Sequence, residues 1–190
     1  MIAGAVLTGG RSRRFGKDKC QETFHGRRLV EIAYHKLEQV VDEVFVIGKD
    51  YGLGKFIPDV YPLKGPLNAI YSFFAFNPSA DGVIILPCDT PLIPIDLLAF
   101  IKKTSDKADL VIPKHNKFFE PLIGYYSRRT FKIAAELLSS DKLSMMNLIN
   151  NQNMTVFFIG EDILRTFGDP EIYFTNINYP EDLAKALEIE

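Results

Sequence analysis

The chain has 190 residues, of which 47% are hydrophobic and 24% charged, and its formal net charge is −2. These values are typical of a soluble globular protein, and the length predicts a single domain over residues 1–190. The near-neutral charge argues against nucleic-acid binding as the main function, because nucleic-acid-binding domains usually carry a basic bias over their whole surface.

The predicted elements begin with a buried strand that runs directly into a basic, glycine-rich loop. The apolar run Ile2–Leu7 predicts the strand, and Gly9 and Gly10 then allow a sharp turn and the close approach of a ligand. This position, after the first strand of an α/β sheet, favours phosphate binding, and the alternative is a solvated basic loop. The spacing excludes both a Walker A loop and a G-x-G-x-x-G dinucleotide loop. The cationic residues of the loop are Arg11, Arg13, Arg14, Lys17 and Lys19.

From residue 29 to residue 112, apolar periodicity predicts helices that alternate with strands. This alternation, with short connections, predicts a three-layer, Rossmann-like α/β fold in which helices flank a mostly parallel sheet. The predicted elements are a helix over Leu29–Val41, strands over Val44–Ile47 and Lys55–Asp59, a helix over Gly65–Phe76, a strand over Val83–Leu86, a helix over Leu97–Lys103 and a strand over Leu110–Ile112.

The pattern changes after residue 112. A polar turn over Lys114–Lys117 and an apolar, aromatic segment over Pro121–Tyr126 predict a hairpin or an antiparallel edge of the sheet. The remaining predicted elements are helices over Arg128–Leu138 and Met145–Ile149, a strand over Met154–Ile159 and a closing helix over Glu181–Leu187.

A second candidate site follows the predicted strand Val83–Leu86. Asp89 lies at the carboxyl end of this strand, where such folds gather ligands, in a loop that prolines make rigid. A lone carboxylate beside a phosphate loop suits Mg²⁺, which binds one or two carboxylates together with phosphate oxygens. The alternative is that Asp89 is an N-cap or turn residue.

The cysteines and the N-terminal segment bear on the location of the protein. Cys20 and Cys88 lack metal-type spacing, so no disulfide scaffold is expected and a reducing cytoplasm is the default. Residues 1–7 lack a basic segment, and no run of about 20 apolar residues occurs, so the sequence predicts neither a signal peptide nor a membrane span. The neighbouring Asp89 carboxylate makes Cys88 a poor nucleophile.

Taken together, these motifs resemble a known family. The segment Leu7–Lys19 resembles the nucleotidyltransferase signature L-x-G-G-x-S-x-R-(F/M)-G-x-(D/N)-K. Gly65-Pro-Leu, Pro87-Cys-Asp-Thr-Pro and the segment Thr175–Leu183 extend the match to the molybdenum cofactor guanylyltransferases. This resemblance implies a fold of the nucleotide-diphospho-sugar transferase type and the transfer of GMP from Mg·GTP to the terminal phosphate of molybdopterin, with release of pyrophosphate. It also implies transient contacts with molybdoenzymes or other proteins of cofactor biosynthesis.

The resemblance also implies roles for individual residues. Arg14 and Lys19 neutralise the triphosphate and the leaving pyrophosphate, Asp59 accepts hydrogen bonds from guanine, and Asp89 binds Mg²⁺. Asn176 and Asn178 serve the molybdopterin side or complete the metal site. The residues whose backbone faces the nucleotide are Leu7, Thr8, Gly9 and Gly10.

The chain departs from the family pattern at Gly48, where some members have an asparagine in the nucleotide pocket. Base selection then depends on Asp59 and on backbone groups, and a cytidylyltransferase of the same fold, acting on molybdopterin or on a sugar or polyol phosphate, stays open. The segment Asp141–Met146 also lacks an arginine pair that is common in this region of the family. A non-enzymatic alternative is a nucleotide-binding adaptor that delivers the cofactor to apo-enzymes.

Overall fold

The fold is built on a central sheet, seen here in a computed structural model that describes residues 1–9, 18–61 and 65–189. The N-terminal strand lies in the interior of the sheet, between two parallel neighbours, and its apolar residues are buried on both faces. In spatial order the strands are β10 (Val156–Ile159), β7 (Leu110–His115), β9 (Gly124–Ser127), β6 (Gly82–Pro87), β1 (Ile2–Leu7), β4 (Val44–Ile47) and β5 (Lys55–Ile57), and β8 (Phe118–Phe119) pairs with β7.

The sheet is mostly parallel, as the sequence predicts. Strands β5, β4, β1 and β6 run in one direction, and β10 runs parallel to β7. Strand β9 is antiparallel to both β6 and β7, so it lies inside the sheet. The expectation of an antiparallel edge is therefore wrong for this strand, whereas the predicted hairpin is confirmed, because β7 and β8 pair antiparallel across the turn after His115. The β9 residues Tyr125 and Tyr126 are buried, which explains why the segment is apolar.

Helices cover both faces of the sheet, because successive side chains of each strand point to opposite faces. Val6, Val46 and Ile84 pack beneath α1 (Leu29–Glu38) and α3 (Ile95–Lys103). The neighbouring residues of the same strands pack on the other face beneath α2 (Gly65–Phe76), α4 (Thr130–Ser139) and α5 (Met145–Ile149). The predicted three-layer α/β architecture is confirmed.

Short elements complete the fold around the ends of the strands. Ile177 packs with Phe24, Leu29 and Ala186 in a small apolar cluster. Within the described ranges, no helix is both long and apolar enough to cross a membrane. The short elements are the 3₁₀ turns Lys19–Gln21 and Arg165–Phe167, the hairpin β2 (Thr23–Phe24) and β3 (Arg27–Arg28), and the helices α6 (Glu161–Leu164), α7 (Pro170–Tyr173) and α8 (Pro180–Ile189).

Candidate active site

The carboxyl ends of the four parallel strands meet at one edge of the sheet. Leu7 at the end of β1 is in register with Ile47 of β4 and with Pro87 of β6. Ile47 in turn is in register with Ile57 of β5. The loops that carry Gly9, Gly48, Asp59 and Asp89 therefore leave the sheet side by side, at the edge where open α/β sheets bind ligands.

A cavity of about 390 Å³ opens between the loops that carry Gly9, Gly48 and Asp59. Asp59 lies on its wall, and its Oδ1 accepts a hydrogen bond of 2.9 Å from the side-chain amide of Asn68. Burial raises the pKa of the Asp59 carboxyl, and the Asn68 hydrogen bond acts in the opposite direction. The other oxygen, Oδ2, faces Gly9, since a Cβ built on that glycine would lie 3.6 Å from it. The lining residues are Thr8, Gly9, Asp18, Gly48, Lys49, Tyr51 and Asp59.

The backbone groups of Leu7 and Thr8 and the Thr8 hydroxyl form hydrogen bonds within the protein that hold neighbouring loops together. The Leu7 carbonyl accepts a hydrogen bond of 3.2 Å from the Cys88 N–H, and the Thr8 N–H donates to the Ile47 carbonyl at 3.0 Å. The Thr8 hydroxyl lies 2.9 Å from the Ile47 and Lys49 carbonyl oxygens and accepts from the Lys49 N–H at 2.9 Å. Thr8 thus ties the end of β1 to the turn after β4. It lines the cavity together with Gly9, whereas Leu7 is buried beneath it and Gly10 lies outside the described residues.

Gly48 has a steric reason to be glycine. Its φ of +111° is in the region that L side chains rarely adopt. A Cβ at this position would lie 2.7 Å from the Gly9 nitrogen and 3.0 Å from its Cα. The turns after β1 and β4 therefore touch through their backbones, and no side chain at position 48 reads the ligand.

Lys19 and Asp89 form an ion pair at the adjacent end of β6. Their side chains are 21% and 14% exposed. Asp89 Oδ1 is buried and has no hydrogen-bond partner in the part of the chain that the structure describes. The predicted triphosphate residue and the predicted metal ligand are thus in direct contact. Arg14, the other predicted catalytic cation, lies outside the described residues.

Asp18 is a site residue that the sequence analysis missed. It caps the 3₁₀ turn that carries Lys19, since its carboxylate accepts from the Cys20 N–H at 3.2 Å. The Tyr51 hydroxyl, 2.8 Å from Oδ1, and the Lys49 ammonium donate to the same carboxylate. Burial raises the pKa of Asp18, but the bonds from Lys49 and Tyr51 outweigh it and the net shift is downward. The sequence feature that marks Asp18 is the Asp or Asn that the nucleotidyltransferase signature has directly before its lysine, here Lys19.

A disulfide between Cys20 and Cys88 corrects the expectation drawn from the cysteines. The two residues are separated by 68 positions in sequence, but the β1–β6 pairing brings their loops together and places their Cα atoms 5.7 Å apart. Each cysteine adjoins one partner of the Lys19–Asp89 ion pair. Because Cys20 and Cys88 are paired, these cysteines do not indicate a reducing compartment.

The predicted acceptor residues Asn176 and Asn178 lie next to Asp89. The N–H of Ile177, between them, donates a hydrogen bond of 2.8 Å to the Asp89 carbonyl. The Ile177 side chain is fully buried, whereas both asparagines are exposed. The Asp182 carboxylate fixes this segment at the start of α8 by accepting from the Asn178 N–H at 2.9 Å.

The donor set at this edge fits a divalent cation that is shared with a ligand. The buried, unpartnered Asp89 Oδ1 is an available anionic ligand. The described residues contain no cluster of three or more His, Cys, Asp or Glu side chains that would form a complete cage. Mg²⁺ commonly binds in this way, through one or two carboxylates, water and substrate phosphates.

Comparisons with known proteins identify the family of the chain. The sequence model of a family described as a MobA-like NTP transferase domain matches residues 4–154. A probable molybdenum cofactor guanylyltransferase from Geobacillus sp. (strain WCH70) is 32% identical over 192 residues and covers 95% of each chain. One of the same name from Methanothermobacter thermautotrophicus is 32% identical over 195 residues, covering 94% of this chain and 95% of that protein. The solved structure of molybdopterin-guanine dinucleotide biosynthesis protein A from Archaeoglobus fulgidus is similar, with a TM-score of 0.83, 25% identity and coverage of 98% of this chain and 97% of that one.

Proposed function

The chain belongs to the MobA-like NTP transferase family and is a nucleotidyltransferase, and we propose that residues 1–190, as one domain, transfer GMP from Mg·GTP to the terminal phosphate of molybdopterin. Pyrophosphate is the second product. The observation that carries this proposal is the adjacency, at one sheet edge, of a cavity with a carboxylate wall and the Lys19–Asp89 pair. The two relatives described as probable molybdenum cofactor guanylyltransferases support the choice of acceptor.

Guanine occupies the cavity in this proposal, and Asp59 binds its edge. A carboxylate accepts hydrogen bonds from both N1–H and the exocyclic amine of guanine, two donors that cytosine does not present together. Gly9 and Gly48 also line the cavity, and neither residue has a side chain to obstruct the base.

The triphosphate extends from the cavity toward Lys19 and Asp89. The charges of Lys19 and Asp89 neutralise each other in their ion pair. Lys19 would bind phosphate oxygens in place of the Asp89 carboxylate, and Asp89 would hold the Mg²⁺ that accompanies GTP. Bound Mg²⁺ supplies Lewis-acid stabilisation of the phosphate charge. Lys19, with Arg14 as the family resemblance implies, neutralises the charge that builds on the leaving pyrophosphate.

The acceptor phosphate attacks the α-phosphorus in line with the leaving group. A phosphate nucleophile is already ionised near neutral pH, so the reaction needs no general base. In this proposal Asn176 and Asn178 orient molybdopterin, and the hydrogen bond from the Ile177 N–H between them to the Asp89 carbonyl supports that role. Catalysis then depends on positioning and charge neutralisation.

The alternative within the same fold is a cytidylyltransferase. It stays open because this chain has Gly48 where some family members have an asparagine in the nucleotide pocket, so no side chain at this position contacts the base. A pyrophosphate-release assay over the four nucleoside triphosphates, with and without molybdopterin, separates the possibilities. The proposal predicts release with GTP only when molybdopterin is present. Release with CTP would favour the alternative, and nucleotide binding without any release would favour the adaptor.

Asp59→Ala is expected to reduce kcat/KM for GTP by tenfold or more and to bring it close to that for CTP. The reason is that a guanine donor left without its acceptor costs about 1–3 kcal/mol. Because burial raises the pKa of Asp59, the wild-type GTP preference should also weaken as the pH falls toward that pKa, at a higher pH than an ordinary aspartate would give. Steady-state kinetics with both nucleotides measure these effects. Asp42→Ala, which removes an exposed carboxylate before β4, is the control, and full GTP preference in Asp59→Ala would exclude Asp59 as the base reader.

Lys19→Met is expected to lower kcat about a hundredfold, with a smaller change in the affinity for GTP. The loss of one transition-state electrostatic contact costs on the order of 3 kcal/mol. Single-turnover kinetics and equilibrium binding of GTP separate the two effects. Lys55→Met serves as the control, since Lys55 is an exposed lysine of β5 that pairs with Glu43. Equal losses in binding and in kcat/KM would assign Lys19 to ground-state binding instead.

A further inference from the structure

Two buried polar residues of α2 hold the segment that follows Asp59. Asn68 and Ser72 are both 0% exposed and are one helical turn apart. Ser72 Oγ accepts a hydrogen bond of 2.9 Å from the Val60 N–H. Asn68 Oδ1 accepts one of 3.1 Å from the Tyr61 N–H. The backbone after Asp59 is therefore fixed to α2 by two side chains of similar burial.

The Ser72 hydroxyl also donates to Asn68 Oδ1 at 3.5 Å, and Asn68 makes one further contact that Ser72 does not. Its amide nitrogen donates to Asp59 Oδ1 at 2.9 Å. The orientation of the amide is determined by its neighbours, because Oδ1 faces the Tyr61 N–H while Nδ2 faces a carboxylate acceptor. A fully buried amide thus fixes one oxygen of a cavity carboxylate and leaves Oδ2 facing the Gly9 turn.

We infer that Asn68 is a positioning residue for base selection, which holds the Asp59 carboxylate in the orientation that accepts the guanine edge. This inference rests on the proposed role of Asp59. A carboxylate gains discrimination only when its oxygens are held where the donors of the base will lie, since a mobile acceptor must be ordered again each time a ligand binds. Asn68 also supplies a donor that favours the charged form of Asp59, the form that can accept both guanine hydrogen bonds.

The test compares Asn68→Ala with Ser72→Ala. The second substitution removes the bond to the Val60 N–H and the long 3.5 Å contact with Asn68 Oδ1, but it keeps the Tyr61 and Asp59 contacts that orient the Asn68 amide. We expect Asn68→Ala to reduce the ratio of kcat/KM for GTP to that for CTP about tenfold, with pyrophosphate affinity unchanged. Ser72→Ala should keep the wild-type ratio, although both variants lose thermal stability. An unchanged ratio in Asn68→Ala, or an equal fall in Ser72→Ala, would overturn the inference.

A double-mutant cycle with Asp59→Asn distinguishes a failure of this inference from a failure of the proposed function. If Asn68 acts through Asp59, adding Asn68→Ala to Asp59→Asn should cause no further loss of preference. A persistent effect in that background would make the role of Asn68 purely structural. A wild-type protein without GTP preference would contradict the proposed function itself. If Asn68→Ala does not fold, Asn68→Asp is the second variant, because it keeps an acceptor for the Tyr61 N–H. At low pH the new carboxyl and Asp59 share a proton, which keeps the contact between them. The GTP preference of Asn68→Asp should therefore fall as rising pH removes that proton.

Discussion

Replacing Asp89 with asparagine is expected to lower the rate of nucleotidyl transfer about a thousandfold while leaving the protein folded. The substitution keeps the shape of the side chain and the carbonyl that accepts from Ile177, but it removes the charge that faces Lys19 and the proposed cation. A loss of this size corresponds to about 4 kcal/mol of transition-state stabilisation. Single-turnover pyrophosphate release at saturating GTP measures it.

Asp81→Asn is the matched control, because Asp81 and Asp89 flank the same strand, β6, at opposite ends. Asp81 pairs with the terminal amine of Met1 at an exposed position. Its replacement by asparagine should therefore have little effect on the rate or on the stability. Titration with Mn²⁺ in the presence of GTP, followed by electron paramagnetic resonance, should show weakened metal binding only in Asp89→Asn. A near-wild-type rate with an unchanged Mg²⁺ requirement would remove Asp89 from the metal site.

Reduction of the Cys20–Cys88 disulfide is expected to lower the free energy of unfolding by about 4 kcal/mol. The bond closes a loop across 68 positions, and the chain-entropy model gives this value for a loop of that length. Both cysteines are 3% exposed, so the bond should resist reductants in the native protein and react once the chain unfolds. Urea denaturation with and without dithiothreitol measures the difference.

The double variant Cys20→Ser, Cys88→Ser provides the control for this experiment. It should unfold at the same urea concentration with and without dithiothreitol, close to the midpoint of the reduced wild-type protein. Identical midpoints for the wild-type protein in the two conditions would mean that the bond does not form in solution. Titration of free thiols in the unfolded, unreduced chain gives an independent measurement.

The sequence predicts the long, continuous elements well and misplaces those that end within the core. The apolar run of β1 and the Gly-Pro start of α2 give the observed bounds, Ile2–Leu7 and Gly65–Phe76. The strand that is predicted to reach Asp59 ends at Ile57, because Pro58 has no N–H to donate to the sheet. The first helix ends at Glu38, three residues before the end of the predicted span at Val41. Val40 and Val41 are buried in a turn after it, and periodicity does not distinguish such a turn from helix.

The position of the site was also predictable, whereas its supporting contacts were not. The carboxyl ends of parallel strands lie at one edge of a sheet, so the alternation of strands and helices predicts that Asp59 and Asp89 share an edge. The structure places β1 and β4 between their two strands, an order that the sequence does not give. Tyr51 and Asn68 act through contacts that depend on how loops and helices pack against each other, and no motif marks them. The disulfide was missed for the same reason, since a separation of 68 positions carries no information about distance across a sheet.

The close approach of Gly48 to Gly9 sets a limit on redesign of the nucleotide preference. The backbones of these two residues are in contact, and a Cβ built on Gly48 would lie only 2.7 Å from the Gly9 nitrogen. A library that varies position 48 would therefore displace the Gly9 turn before it offered the base a new hydrogen bond. Mutagenesis aimed at adenine or cytosine should instead vary Asp59 and its α2 support together, because that wall of the cavity is made of side chains.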